Sequence, residues 1–147
     1  MPADKKEQSG THRSEIPIKM DTLDQQFLAL VNAERTLHGL APVTLDLQLD
    51  NAAQDHINDI AINDINLLDP NVDPHFGSNG STLGSRVQAS GYQYQTAVEN
   101  IGAGQYTANE VFDYWKHSPS HRNNILNPSV THLGVGQIGR ASCRERV

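Results

Sequence analysis

Cysteine, positive charge and long apolar runs are all scarce in this chain of 147 residues. The single cysteine, Cys143, falls in the last ten residues, so cysteine usage is silent on the redox compartment. Eleven Lys and Arg stand against 17 Asp and Glu, a formal charge of −6, and no basic stripe interrupts the acidic background. Such a domain suits a phosphate backbone poorly, which excludes nucleic acid as the default partner. No segment approaches the ~18 apolar residues of a membrane-crossing helix. The first twenty residues, MPADKKEQSGTHRSEIPIKM, hold charges but no apolar signal-peptide core. Also missing are the G-x-S-x-G elbow that would activate Ser78, Ser81 or Ser120 and the H-E-x-x-H pattern of helical zinc proteases.

What is present amounts to about one domain. Low hydrophobicity before Ile16 marks residues 1–20 as a disordered leader, with the folded unit over 21–137. The last ten residues, IGRASCRERV, hold three arginines against one glutamate, a net +2 that leaves −8 for the rest of the chain. They break the preceding pattern and can be spelled codon for codon as read-through into a common sequencing-library adapter. Residues 138–147 are therefore expected to be a non-native tail and the domain to be truncated after Gln137.

Periodicity marks the elements. Thr22 and Gln25 form a capping box for a first helix with Leu23, Phe27, Leu30, Val31 and Leu37 at helical spacing, stopped by Gly39. Asp46 caps a second helix to about Ile62, with Leu49, Ala52, Ala53, His56, Ile57 and Ile60 on its inner stripe. A polar loop follows over 63–81, then a short helix near 82–89 closed by Gly91. Val98 to Ile101 suits a strand, Thr107 and Glu110 cap a helix that Pro119 ends, and His132 to Gln137 suits a last strand. The class is α+β.

Two strings carry chemistry: ENIGAGQYTANEVF from Glu99, and WKHSPSHRNNILNPSVTHLGVG from Trp115. Each sets an ionisable group, Glu99 or His121, beside residues that fix loop geometry. With His75 from DPHFGSNGST they offer two imidazoles and a carboxylate, a set that suits zinc with one position open. The other histidines read as bland. His12 and His38 are solvent-exposed, His56 is a core residue satisfied by a hydrogen bond, and His132 is structural. Pro119 separates His117 from His121 and forbids a helical metal pair. Glu99 reads equally as a buried carboxylate that organises loops. Residues 118–122 read as a structural turn in which Arg122 pairs with an acidic neighbour, and Asn123, Asn124 and Asn127 as loop braces. Tyr92, Tyr94, Tyr106 and Trp115 suit either core or the rim of a groove.

The strings LVNAERTLHGLAPVTLDLQLDNAAQDH, HFGSNGST, GYQYQTAVENIGAGQ and W-x-x-S-P-S-H-R-N-N-I-L, followed by H-L-G-V-G, stand in the order seen in the CAP superfamily. That family covers the cysteine-rich secretory, antigen-five and pathogenesis-related proteins, or SCP domains. The chain resembles its bacterial branch from about Leu23 to Gly136. The resemblance implies a three-layer α-β-α sandwich with a small central antiparallel sheet. Its last strand is expected to be missing here, leaving an unpaired edge beside Val135.

The resemblance also implies a cleft built from His75, Glu99, Ser118 and His121, with His75, Glu99 and His121 as ligands for Zn2+ or another divalent metal. Ser118 stands where the family's fuller form has a second glutamate, which lowers the expected metal affinity and weakens any acid/base scheme. The function implied is a secreted, non-enzymatic binding domain, extracellular or at the cell surface, for a lipid, sterol or peptide. Two alternatives stay open: a metal-dependent hydrolase with Glu99 as ligand or base, and a structural adhesion module. No oligomeric state follows.

Overall fold

The computed structural model describes residues 22–104 and 107–137 and the backbone of 144–146; the leader 1–20, Tyr106 and Cys143 lie outside them. Side-chain alternation over residues 133–136 sets the layers. Leu133 and Val135 are buried on one face of the chain, in a core with Phe27, Val31, Val111, Phe112, Trp115 and Ile125. Gly134 and Gly136 turn to the opposite face, where a Cβ would strike the backbone of Leu49 and of Ala53 respectively. Helix α2 (Leu47–Ile62) therefore lies directly on this strand, at a distance only glycine allows.

Helices α1 (Leu23–Leu37), α4 (Ala108–Lys116) and α5 (Pro119–Ile125) fill the first face. On the other, Ile57 and Ile60 of α2 pack with Ile101, Ile65 and Leu67, and α3 (Leu83–Ala89) packs beside α2. The expected α+β sandwich is thus formed.

The caps follow from side-chain chemistry. Thr22 accepts from the Gln25 N–H at 3.3 Å, and Asp46 from that of Leu49 at 3.1 Å. Thr107 and Glu110 close a reciprocal box at 3.1 and 2.9 Å. Gly39 takes φ +72° to end α1. All six residues of the predicted α2 stripe are buried. Pro119 departs from expectation: α4 ends at Lys116, and Pro119 is the first residue of α5 instead of a terminator.

The strands are short. β1 (Thr44–Leu45) pairs in parallel with β3 (His132–Leu133), a parallel element beside the expected antiparallel sheet. β2 (Asn100–Gly102), β5 (Arg144–Arg146) and β4 (Val135–Gln137) form an antiparallel sheet in that order. Val135 is paired with Arg146, so the expected open edge beside Val135 does not exist. Backbone pairing is indifferent to side chain, which is why an atypical segment occupies the middle of the sheet.

Side-chain amides and carboxylates cover other edges. Asn32 exchanges two hydrogen bonds with Val43, at 2.9 and 2.8 Å, and Gln54 exchanges two with Gln137, at 3.0 and 3.1 Å. Asp50 accepts from the Val135 N–H at 2.8 Å; burial, with Asp24 alongside, pushes its carboxyl up to about 7. Each gives a partner to backbone groups that no neighbouring strand reaches.

Arg35 is the buried cation of α1, only 2% exposed. Its guanidinium donates to the carbonyls of Ala41 (2.8 Å), Ile125 (3.0 Å), Asn127 (2.8 Å) and Val130 (3.4 Å). A planar fork reaches acceptors on three segments at once, whereas an ammonium is one point charge. Arg35→Leu and Arg35→Lys should each lower the unfolding free energy by about 3 kcal/mol or more in urea, because buried carbonyls lose their donors. A loss below about 1 kcal/mol would show that those carbonyls find other partners. Deleting residues 138–147 strips the partner from both β2 and β4, and should lower Tm by roughly 5–10 °C in a thermal melt.

Candidate ligand-binding cleft

The loop over 63–81 carries His75 and is held on both sides of that residue. Asp59 of α2 accepts from the Ser78 N–H at 2.7 Å and from its hydroxyl at 2.5 Å, and these bonds draw the Asp59 pKa down. At the His75 end, His56 is buried and its Nε2–H donates to the Pro74 carbonyl at 2.8 Å. A carbonyl only accepts, so Nε2 carries the proton and Nδ1 is a bare lone pair with no partner. Burial lowers the His56 pKa accordingly. His56 is the core histidine that its place on the α2 stripe predicts, held by the one hydrogen bond from Nε2.

Arg86, in the last turn of α3, grips the same loop through the carbonyls of His75 (3.0 Å) and Ser81 (3.2 Å). Its second terminal nitrogen donates to both oxygens of Glu99, at 3.3 and 3.1 Å. Glu99 is buried, and its Oε1 also accepts from His75 Nδ1 at 2.7 Å. That bond is the main reason the His75 pKa is raised, with burial opposing it. Glu99 thus joins a guanidinium and an imidazole carried by different segments.

Sequence reasoning missed Arg86. A signal was available: it is the only Lys or Arg between Arg35 and Lys116, in a stretch rich in Asp. A buried carboxylate in that stretch has one candidate counter-charge.

His121 comes from the opposite side, on α5. Ser118, at the N-cap, makes no capping bond; its hydroxyl joins His121 Nδ1 at 2.8 Å. The ring also lies against Tyr114 and Trp115, with centroids 5.6 and 6.3 Å away. Asn100 donates to the His121 carbonyl at 3.1 Å, and Asn124 donates to the Glu99 carbonyl and to Asn100 Oδ1 at 3.1 and 2.9 Å. Asn124 and Asn127, which accepts from Ser129 N–H at 2.8 Å, are braces as expected. Trp115 is buried and donates from Nε1 to the Ile101 carbonyl at 3.1 Å. Arg122 meets His38 Nε2 at 3.0 Å and not the acidic neighbour expected of it.

His75 and His121 both line one cleft of about 460 Å3, with Leu67, Leu68, Ile101 and Tyr114. Glu99 sits behind His75, against Arg86. Among the described residues no group of three His, Cys, Asp or Glu side chains is gathered as a metal centre requires. Tyr92 and Tyr94 line a different cavity, where Tyr92 meets His132.

Two histidines thus line one cleft, one of them bonded to a buried glutamate that directly precedes β2, beside a small sheet between helical layers. Residues 28–145 match the model of the CAP family, the cysteine-rich secretory protein family, and the chain belongs to that family. It is 36% identical over 126 residues to the uncharacterized protein YkwD of Bacillus subtilis, covering 86% of this chain and 46% of that protein. An extracellular SCP-domain protein of Bacillus anthracis superposes with a TM-score of 0.72 at 30% identity, over 89% of this chain and 43% of the other. An outer surface protein of Borrelia burgdorferi shares the fold at a TM-score of 0.67 and 18% identity, over 97% and 92%. The chain spans less than half the length of the curated relatives it matches.

The His75 bond to Glu99 has a pH signature. A raised folded pKa means that its contribution is fully present below the ordinary value of about 6.5 and is lost as pH rises through the folded value. The stability difference between wild type and His75→Ala should therefore be larger at acid pH than at alkaline pH. Denaturation of both proteins on either side of that window checks it. Glu99→Gln should bring the His75 titration, followed by NMR, back toward the ordinary value.

Proposed function

We propose that the chain is a non-enzymatic binding domain, acting outside the cell or at its surface, whose cleft takes a ligand with an apolar body and a polar head. The observation that carries this reading is the pairing, in one open cleft, of two imidazoles with Leu67, Leu68, Ile101 and Tyr114. Leu68 and Tyr114 are exposed at its lips, and an apolar lining with a few convergent polar groups is the usual form of a ligand site. Lipid, sterol and peptide ligands share that description. The extracellular and outer-surface relatives support the location, and among the described residues no helix is long and apolar enough to cross a membrane.

Zn2+ or another divalent ion belongs to this proposal. Its donors would be His75 and His121, with Glu99 orienting His75 through Nδ1 in the manner of a carboxylate behind a metal-bound histidine. Two imidazoles without a carboxylate in the same shell suit a weakly held, exchangeable ion. When bound, such an ion would supply a Lewis-acid contact for the head of the ligand.

Calorimetry with palmitate, cholesterol and an apolar tetrapeptide, each with and without Zn2+, tests the reading. Saturable binding of one probe, weakened at least about tenfold by Tyr114→Ser or His121→Ala, is the expected result. Turnover of a peptide or ester that vanishes in His121→Ala would replace it with the hydrolase reading. Absence of both would leave the cleft as a structural device.

A further inference from the structure

Several turns are capped by a side-chain oxygen that accepts from the N–H two positions on. Among the described residues Asn66, Asp69, Asp73, Asn79 and Asn127 do so, to Leu68, Asn71, His75, Ser81 and Ser129, at 2.8 to 3.0 Å. Such a bond folds the side chain back over the peptide unit that follows it. The side-chain carbonyl carbon is thereby held near the nitrogen of the next residue.

The residue that follows decides whether that nitrogen can react. Pro70, Pro74 and Pro128 follow Asp69, Asp73 and Asn127, and a proline nitrogen has no proton to give up. Leu67 follows Asn66, and its half-buried side chain, in the lining of the histidine cleft, crowds the approach. Gly80 follows Asn79, the only asparagine of the chain with glycine after it. Gly80 is exposed at φ +84°, and nothing lies within 4 Å of where a Cβ would be. Its nitrogen is unhindered, restrained by a turn bond from its N–H to the Gly77 carbonyl at 2.9 Å. The Ser81 N–H, 3.0 Å from Asn79 Oδ1, sits where negative charge develops when the amide carbon is attacked.

We propose that Asn79 is a self-modifying site, converting to aspartate and isoaspartate on the loop that carries His75. Gly80 N gives its proton to solvent and attacks Asn79 Cγ. The new N–C bond expels Nδ2 as ammonia, which takes up the proton, and a cyclic imide remains. Water then opens the ring. Addition at Cγ gives aspartate, whereas addition at the Asn79 main-chain carbonyl carbon gives isoaspartate, with the backbone rerouted through Cβ. Nothing is oxidised or reduced, and water is the only co-reactant.

The product alters the electrostatics of the loop. Asn79 Oδ1 and Asp59 Oδ2 lie 3.1 and 3.4 Å from the point a Gly77 Cβ would occupy, so a carboxylate at position 79 stands close to that of Asp59, and Asp55 lines the same hollow. Arg86 lines it too, already bonded to Glu99 and to the His75 and Ser81 carbonyls. A new carboxylate thus repels Asp59, the anchor of Ser78, or draws Arg86 away from Glu99. Either course loosens the loop. Isoaspartate also adds a methylene to the main chain and so displaces the Ser81 N–H and carbonyl from their partners. The conversion does not depend on what the cleft binds.

The full chain is aged at mildly alkaline pH and mapped by fragmentation mass spectrometry that separates the two linkages. Asn79 should gain about 1 Da, as both aspartate and isoaspartate, at least about tenfold faster than Asn66. Asn79→Asp keeps the turn's acceptor and supplies the charge alone; its amide hydrogen exchange over residues 73–81 should be at least about threefold faster than wild type in low salt, and less so in high salt. Equal rates at Asn79 and Asn66, or an unchanged Asn79 once Asn66 has converted, overturn the proposal. Exchange in Asn79→Asp that matches wild type overturns the effect on the loop.

Discussion

A guanidinium inside the protein, held by main-chain carbonyls, is the constraint on which the arrangement of helices rests. Arg35 draws together the turn after its own helix, the C-terminus of α5 and the segment entering β3. The α5 carbonyls are the negative end of a helix, so the charge is balanced by dipoles where a carboxylate would otherwise be needed. Removing a charge from water is costly unless every donor is met. Three of the four acceptors fall within residues 125–130, some ninety positions from Arg35, so the contact fixes the helix that carries His121 relative to α1. Phe27 and Trp115, with ring centroids 5.6 Å apart, fill the apolar side of the same junction.

The second internal cation acts on the opposite flank. Arg86 holds the His75 carbonyl and the Glu99 carboxylate together, so the side-chain bond between His75 and Glu99 is supported by a backbone contact to the same histidine. His56 adds a hold on Pro74 from α2. The two cleft histidines are therefore positioned by different machinery: one by the Arg86–Glu99 pair, the other by the Ser118 hydroxyl at the N-cap of α5, the Asn100 amide and the rings of Tyr114 and Trp115.

Much of this was legible in residues. The α2 stripe, the Thr107 box and the Asp46 cap come from side chains acting within a few positions, which a sequence displays directly. The chemistry of His75, Glu99 and His121 was legible only as composition; that Glu99 lies behind His75 instead of beside it depends on Arg86, a contact thirteen positions away in the chain. Pro119 was misread because proline suits the first turn of a helix as well as the residue after its end. Strands of two and three residues are too short to show a period, so the parallel β1–β3 pair left no trace. Edge-covering by Asn32, Asp50 and Gln54 was hidden for a related reason: on a helix these residues look like solvent-facing polar groups. The pairing of residues 144–146 escaped because it depends on backbone alone.

The glycines of β4 have a mechanical consequence. With no side chain on Gly134 or Gly136 to hold them apart, and with Asp50 and Gln54 bonded across the seam, helix and strand form one slab that has no soft layer along which to slide. Opening of the histidine cleft cannot come from that slab. It falls to the loop over 63–81, tied down by polar contacts at Asp59, His56 and Arg86, each of which can be broken one at a time. The molecule is in effect an anvil with a latch, and the stiffness of the one determines that any motion appears in the other.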